Sequence, residues 1–163
     1  MVAEEGGPAP VVTSAGALVR ALEAIEAERI SLITPYVEEL TRTVVTYLEE
    51  TADVEVIDHK SLECPDNLEV AKLDQRELLE HAHDVDTRGA DAFVLSSCVQ
   101  MPSLQSIQAA EDHLGMPTFS ASVATTWDLL TRLELAPRVS GAGTLLSGEV
   151  VPERHERPIS ADD

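Results

Sequence analysis

Gly89-Ala-Asp-Ala-Phe-Val-Leu-Ser-Ser-Cys98-Val-Gln-Met-Pro-Ser103 is the stretch whose reading decides the fold. Residues 92–95 are a short, unbroken apolar run entered from a glycine, the pattern of a strand buried on both faces. Pro102 cannot continue a sheet ladder, and Ser103 is a good cap for a helix that the spacing carries through His113. A buried strand that hands over to an amphipathic helix is the repeating unit of a parallel sheet.

The same alternation extends in both directions. Thr13 and Ser14 are helix caps, and Leu18, Leu22 and Ile25 recur at helical spacing over 14–27. Arg29-Ile-Ser-Leu-Ile-Thr34 is a β-branched run stopped by Pro35. Leu40, Val44, Val45 and Leu48 mark a helix over 37–50, and 54–57 form the next strand. Residues 58–72 read as a polar loop around Cys64-Pro-Asp-Asn67, followed by a helix over 73–85. After Gly115 come a strand at 117–120 and a helix over 122–133, with Val123, Trp127 and Leu130 inward. The expected architecture is α/β: a three-layer sandwich with a four-stranded parallel sheet and right-handed connections. One domain over 11–148 is expected, with a flexible leader at 1–10 and a disordered acidic tail at 149–163.

Composition narrows the function. The chain has 163 residues, 44% of them hydrophobic, which suffices for one packed core. Its net charge is −19, and lysine occurs only at Lys60 and Lys72. Such a surface repels nucleic acid and anionic lipid, and its scattered acids read as adaptation to a salt-rich cytosol. No apolar run reaches the roughly 18 residues of a membrane span. Residues 1–10 lack the basic and apolar regions of a secretory signal, so a cytoplasmic location is expected. A disulfide between Cys64 and Cys98 is not expected there. No Cys/His spacing suggests a metal, and His81 and His83, two apart, face differently on a helix and read as solvated. Gly141-Ala-Gly143 is too short for a phosphate loop, so no nucleotide cofactor is expected.

Ligands of such sheets bind at the carboxyl ends of the strands. That rule places Tyr36, Asn67 and Cys98 on one rim. A thiol between a strand and a helix start has its pKa lowered from about 8.5 toward about 7 or below, and then serves as nucleophile or proton shuttle. Cys98 is equally readable as a small buried hydrophobe. Tyr36 reads as a hydrogen-bond donor or as a packing residue, and Asn67 as a ligand group or an Asx-turn. Ser96 and Ser97 are donors or strand terminators, and Cys64 reads as inert. Only His59 stands near the rim as a possible base, so proton transfer or addition at a small carboxylate suits the thiol better than hydrolysis.

Cys98-Val-Gln-Met-Pro-Ser-Leu104 resembles the second catalytic-cysteine motif of the maleate cis-trans isomerases. These belong to the aspartate/glutamate racemase superfamily, with arylmalonate decarboxylase as a relative. Residues 10–17, Thr34-Pro-Tyr36, Pro65-Asp-Asn67 and Ala124-Thr-Thr-Trp127 match in order and spacing. The resemblance runs from about Pro10 to Gly148 and implies one half of a two-domain fold. In that family two cysteines face each other across the cleft between similar halves, without a cofactor. One thiolate adds to the alkene of maleate, the new single bond rotates, and elimination gives fumarate. By resemblance, Cys98 is the second-half cysteine that exchanges a proton with the adduct. Tyr36 and Asn67 would hydrogen-bond the substrate carboxylates, and the N–H groups after Cys98, that of Val99 first, would help hold one of them.

The half that carries the other cysteine has no counterpart in these 163 residues, and Cys64 does not replace it by position. Three readings follow: a fragment or truncated product, pairing with a separately encoded first half, or a homodimer with two copies of Cys98 across the interface. A racemase or arylmalonate decarboxylase-like activity and a non-catalytic dicarboxylate-binding remnant are the alternatives in function.

Overall fold

The computed structural model describes residues 11–150. The expected leader at 1–10 and residues 151–163 of the expected tail lie outside them. Within that tail, Glu149 and Val150 are part of the fold: the Glu149 N–H donates to Ser147 Oγ at 3.1 Å, and the Val150 carbonyl accepts from Trp127 Nε1 at 3.2 Å. The buried indole needs an acceptor, and Val150 supplies it.

The elements alternate as β1 (Arg29–Thr34), α2 (Glu38–Ala52), β2 (Glu55–Ser61), α3 (Asn67–Val70), α4 (Glu77–His83), β3 (Ala92–Ser96), α5 (Leu104–Leu114), β4 (Thr118–Ser120) and α6 (Ala121–Arg132). Helix α1 (Ser14–Ala24) precedes them, capped by Thr13 Oγ1, which accepts from the Gly16 N–H at 3.1 Å. All strand pairs are parallel, in the order β2-β1-β3-β4. Helix α1 packs on α6 and α2, while α4 packs on α5. Right-handed crossovers put these two groups on opposite faces of the sheet, which gives the three expected layers.

Strand β3 is buried at every position, and β1 at every position after Arg29. The apolar runs follow directly, since both strands are central and covered on both faces. Strand β2 corrects the sequence reading. It continues through Asp58-His-Lys-Ser61, taken above as loop, with Thr34 paired to Ser61. As the edge strand it is only half-covered, so its polar residues keep water while the backbone pairs. The helix expected over 73–85 is shorter, Glu77–His83, and the short helix α3 falls within the segment read above as loop.

Trp127, Phe93 and Phe119 are the largest fully buried side chains. Beside Trp127, Asp128 is 1% exposed and meets Arg20 at 3.2 Å and Arg132 at 2.9 Å. Two guanidinium groups on α1 and α6 thus compensate one buried carboxylate. Of the glycine pair at 141–143, Gly143 has a packing role. A Cβ on Gly143, whose φ is +75°, would stand 2.9 Å from Thr118 O and 2.8 Å from Ile107 Cγ2. Glu111 then clasps the turn Thr144–Leu146 by accepting from the Thr144 N–H and hydroxyl.

Thirty acids against eleven bases on so small a body repel one another. Raising KCl from about 0.1 M to about 1 M cuts the screening length from about 10 Å to about 3 Å. Differential scanning calorimetry should show Tm rising by several degrees over that range; a flat or falling Tm would show that the acid excess costs the fold nothing.

Candidate functional site

Strand order makes the site. The chain leaves β1 toward β2 on one side and returns to β3 on the other, so the connections diverge between β1 and β3. A crevice opens at the carboxyl ends of such a pair. The two segments that border it are Thr34-Pro-Tyr36 and Ser96-Ser-Cys98. Their alignment is held past the strands themselves, because the Ser97 N–H donates to the Ile33 carbonyl at 3.0 Å.

Cys98 is 4% exposed and belongs to the apolar core cluster. It is not surrounded by hydrocarbon alone, since the half-buried Tyr36 lies near enough for Cys98 to act on its phenol. Burial first, then the hydrogen bond and charge of Cys98, push the Tyr36 phenol above the ordinary tyrosine range. Tyr36 is therefore a protonated donor at neutral pH. The sulfur is packed in the core, with the Tyr36 phenol as a polar neighbour.

Ser96 shapes the turn. Its hydroxyl is fully buried, donates to the Cys98 carbonyl at 3.1 Å and accepts the Cys98 N–H at 3.3 Å. The chain then turns at Val99 and Gln100, whose N–H groups find no acceptor among the described residues. The Ser97 hydroxyl beside them is buried and also finds no partner there. A buried polar group left in that state marks a place for a ligand or water. These three donors sit next to the thiol.

The helix starts where the sequence reading put it, directly after Ser103, but the capping bond is missing. Helix α5 begins at Leu104, and Ser103 does not cap it; its hydroxyl turns inward and donates to Ser120 Oγ at 2.9 Å. The Gln105 N–H of the first turn is taken by Gln75 Oε1 at 3.2 Å. The N–H groups of the turn follow Cys98 directly in the chain, and α5 begins only at Leu104. Pro102 lengthens the link by breaking the ladder before a helix can form.

Asn67 stands on the same rim in the segment after β2. That segment is stitched to the Tyr36 loop, with Leu62, Glu63 and Cys64 N–H groups donating to the carbonyls of Thr34, Tyr36 and Pro35 at 2.9, 3.2 and 2.9 Å. The Asx-turn belongs to Asp66, which accepts from the Leu68 N–H at 2.8 Å and caps α3. Asn67 is exposed and its side chain bonds to none of the described residues. Cys64 is half-buried and donates to the Asp66 carbonyl at 3.4 Å, so it is spent on the loop.

A second polar network went unread in the sequence. Glu38, at the start of α2, accepts from Arg42 at 2.8 Å and Ser61 at 2.8 Å, with His59 3.3 Å away. These contacts, the Arg42 hydrogen bond foremost, hold its carboxyl down to about 2. Ser61 continues to Thr41 at 2.7 Å and Thr41 to Thr34 at 2.6 Å. The network braces the loop that carries Tyr36, and His59 is committed to it rather than to the thiol. Acids Glu38 and Glu39 directly after Thr34-Pro-Tyr36-Val37, in the first turn of a helix, were the available signal.

Comparisons with known proteins agree with this layout. The arylmalonate decarboxylase family profile matches residues 2–146, so the match takes in most of the segment expected above to be a flexible leader. The maleate isomerase of Geobacillus stearothermophilus is 46% identical over 149 residues, 91% of this chain and 59% of that one. The maleate isomerase Iso of Pseudomonas putida S16, solved with maleate, superposes with a TM-score of 0.85 at 44% identity, over 90% of this chain and 58% of that one. A cysteine-to-serine variant of the Nocardia farcinica maleate cis-trans isomerase, solved with a covalently bound succinylcysteine intermediate, gives 0.81 at 41% identity over 88% and 59%. The chain thus spans about three fifths of the length of the relatives it matches.

The contact between Tyr36 and Cys98 can be read directly. In a Tyr47→Phe background the remaining phenol should ionise later than free tyrosine when absorbance at high pH is followed. Adding Cys98→Ala should bring it partway down, because burial, the larger cause, remains. An ordinary phenol titration, unmoved by Cys98→Ala, would separate the two groups.

Proposed function

Because this chain belongs to the arylmalonate decarboxylase family, we propose that it is the second, proton-exchanging half of a cofactor-independent cis-trans isomerase that converts maleate to fumarate. The observation that carries the reading is the sheet register that brings the Tyr36 and Cys98 segments together at the carboxyl ends of β1 and β3, with the Val99 and Gln100 N–H groups lacking acceptors among the described residues. The identity to maleate isomerases supports the substrate, and the succinylcysteine form of the Nocardia farcinica relative supports thiol addition.

The chemistry balances with two thiols. A thiolate from the other half adds to one alkene carbon, forming the C–S bond and turning the C=C bond single. Cys98 delivers its proton to the adjacent carbon, giving a succinyl thioether. Rotation about the single bond follows. Cys98 then takes a proton back, the C–S bond breaks, and the double bond re-forms in the trans geometry. Tyr36 donates a hydrogen bond to one carboxylate throughout, since its phenol stays protonated. The N–H groups of Val99 and Gln100 and the Ser97 hydroxyl seat a carboxylate beside the thiol, and Asn67 at the mouth donates its amide N–H. Neutral donors are what such a seat requires in a protein of net charge −19. The other thiol belongs to a first half, in a longer chain, in a separately encoded one or in a second copy. We place the enzyme in the cytoplasm, where free thiols persist, and in one rich in salt.

Assembling the chain with a first half from a maleate isomerase relative, in high salt, should produce fumarate from maleate by proton NMR. Cys98→Ser in the assembled protein should cost at least about a hundredfold in turnover, and Tyr36→Phe about tenfold. A folded assembly that leaves maleate untouched while acting on aspartate, glutamate or arylmalonates would replace this reading with a racemase or decarboxylase.

A further inference from the structure

Two histidines meet on the surface away from the rim. His83 ends α4 and His113 lies in the last turn of α5, thirty residues later. Their Nε2 atoms are 3.0 Å apart, and the rings cross edge to face at 73° with centroids 4.7 Å apart. Both side chains are exposed, and neither has a part in the chemistry of Cys98.

As neutral imidazoles they share one hydrogen bond, with one Nε2–H donating to the other Nε2. The same spacing is the bite of two ligands on one metal ion. With metal–nitrogen bonds of about 2.0–2.1 Å, two cis nitrogens stand about 2.9 Å apart at right angles and about 3.4 Å apart in a tetrahedron. We infer that His83 and His113 form a two-histidine site for a late first-row divalent transition-metal ion, and that the bound ion fastens α4 to α5.

The neighbours define what the site takes. His81 is not part of it, since its Nδ1 faces Lys60 Nζ at 3.2 Å. Asp84 is engaged by the same lysine, and Asp112 accepts from Gln108 Nε2 at 2.9 Å. Among the described residues no three His, Cys, Asp or Glu side chains gather to hold a metal. Water therefore fills the remaining positions, which favours ions content with two imidazoles, Cu2+ and Ni2+ ahead of Mn2+ or Mg2+. Binding moves the proton of the donating ring from Nε2 to Nδ1. Both rings stay neutral, both Nε2 lone pairs point at the metal, and no proton is lost. The acidic surface raises the local cation concentration.

Nickel is the suitable probe, because copper would also be taken by the free thiols. Calorimetric titration of the full chain should show one Ni2+ per chain, and thermal unfolding should rise by several degrees with excess Ni2+, as for any ligand of the native state. His83→Gln and His113→Gln should each weaken binding at least tenfold and abolish the rise, while His81→Gln keeps both. Native chain that takes up no nickel, or Gln variants that bind it as the native chain does, would overturn the assignment.

Discussion

A single backbone hydrogen bond, from the Ser97 N–H to the Ile33 carbonyl, carries the pairing of β1 and β3 beyond the strands and into the loops. Its consequence is positional. The two central strands end level, so Tyr36 and Cys98 leave the sheet side by side at the point where the chain parts in opposite directions. Parallel pairing of β1 with β2 then brings a second segment to the same rim, where three more backbone bonds tie residues 62–64 to the Tyr36 loop. The sulfur is thus placed by sheet register, and Ser96 fixes the turn it sits on.

Charge poses the opposite problem. A protein with nineteen excess negative charges is proposed to receive a dianion. Long-range attraction cannot help, and no lysine or arginine stands among the rim residues named here. In the proposed reading the carboxylate is met instead by dipoles: two backbone N–H groups, a hydroxyl and a protonated phenol. Such donors act at hydrogen-bond range, where a fixed, dry geometry counts for more than net charge.

The strongest sequence signals were the buried central strands. Ala92–Leu95 is an unbroken apolar run and Ile30–Ile33 is interrupted only by Ser31, because both faces are covered, and the prolines and serines that follow them mark the rim. Tyr36 and Cys98 were placed there by the same reading. The edge strand was not legible past residue 57, because Asp58-His-Lys-Ser61 has no apolar pattern to show; backbone pairing to β1 is invisible in side-chain chemistry. Ser103 looked like a helix cap, but a buried partner, Ser120, outbid the exposed N–H groups. Asn67 and Asp66 are adjacent and chemically alike, and only the φ/ψ of the turn decides which one bonds the backbone. The meeting of His83 with His113 depends on how α4 lies on α5, which no local pattern encodes.

The most direct measurement is an amide-resolved NMR titration of the chain with maleate. The N–H cross-peaks of Val99 and Gln100 should shift saturably as the dicarboxylate is added, and should stay still with a neutral diamide of the same shape. Cross-peaks that remain fixed at the turn after Cys98, or that move only elsewhere on the molecule, would contradict the account.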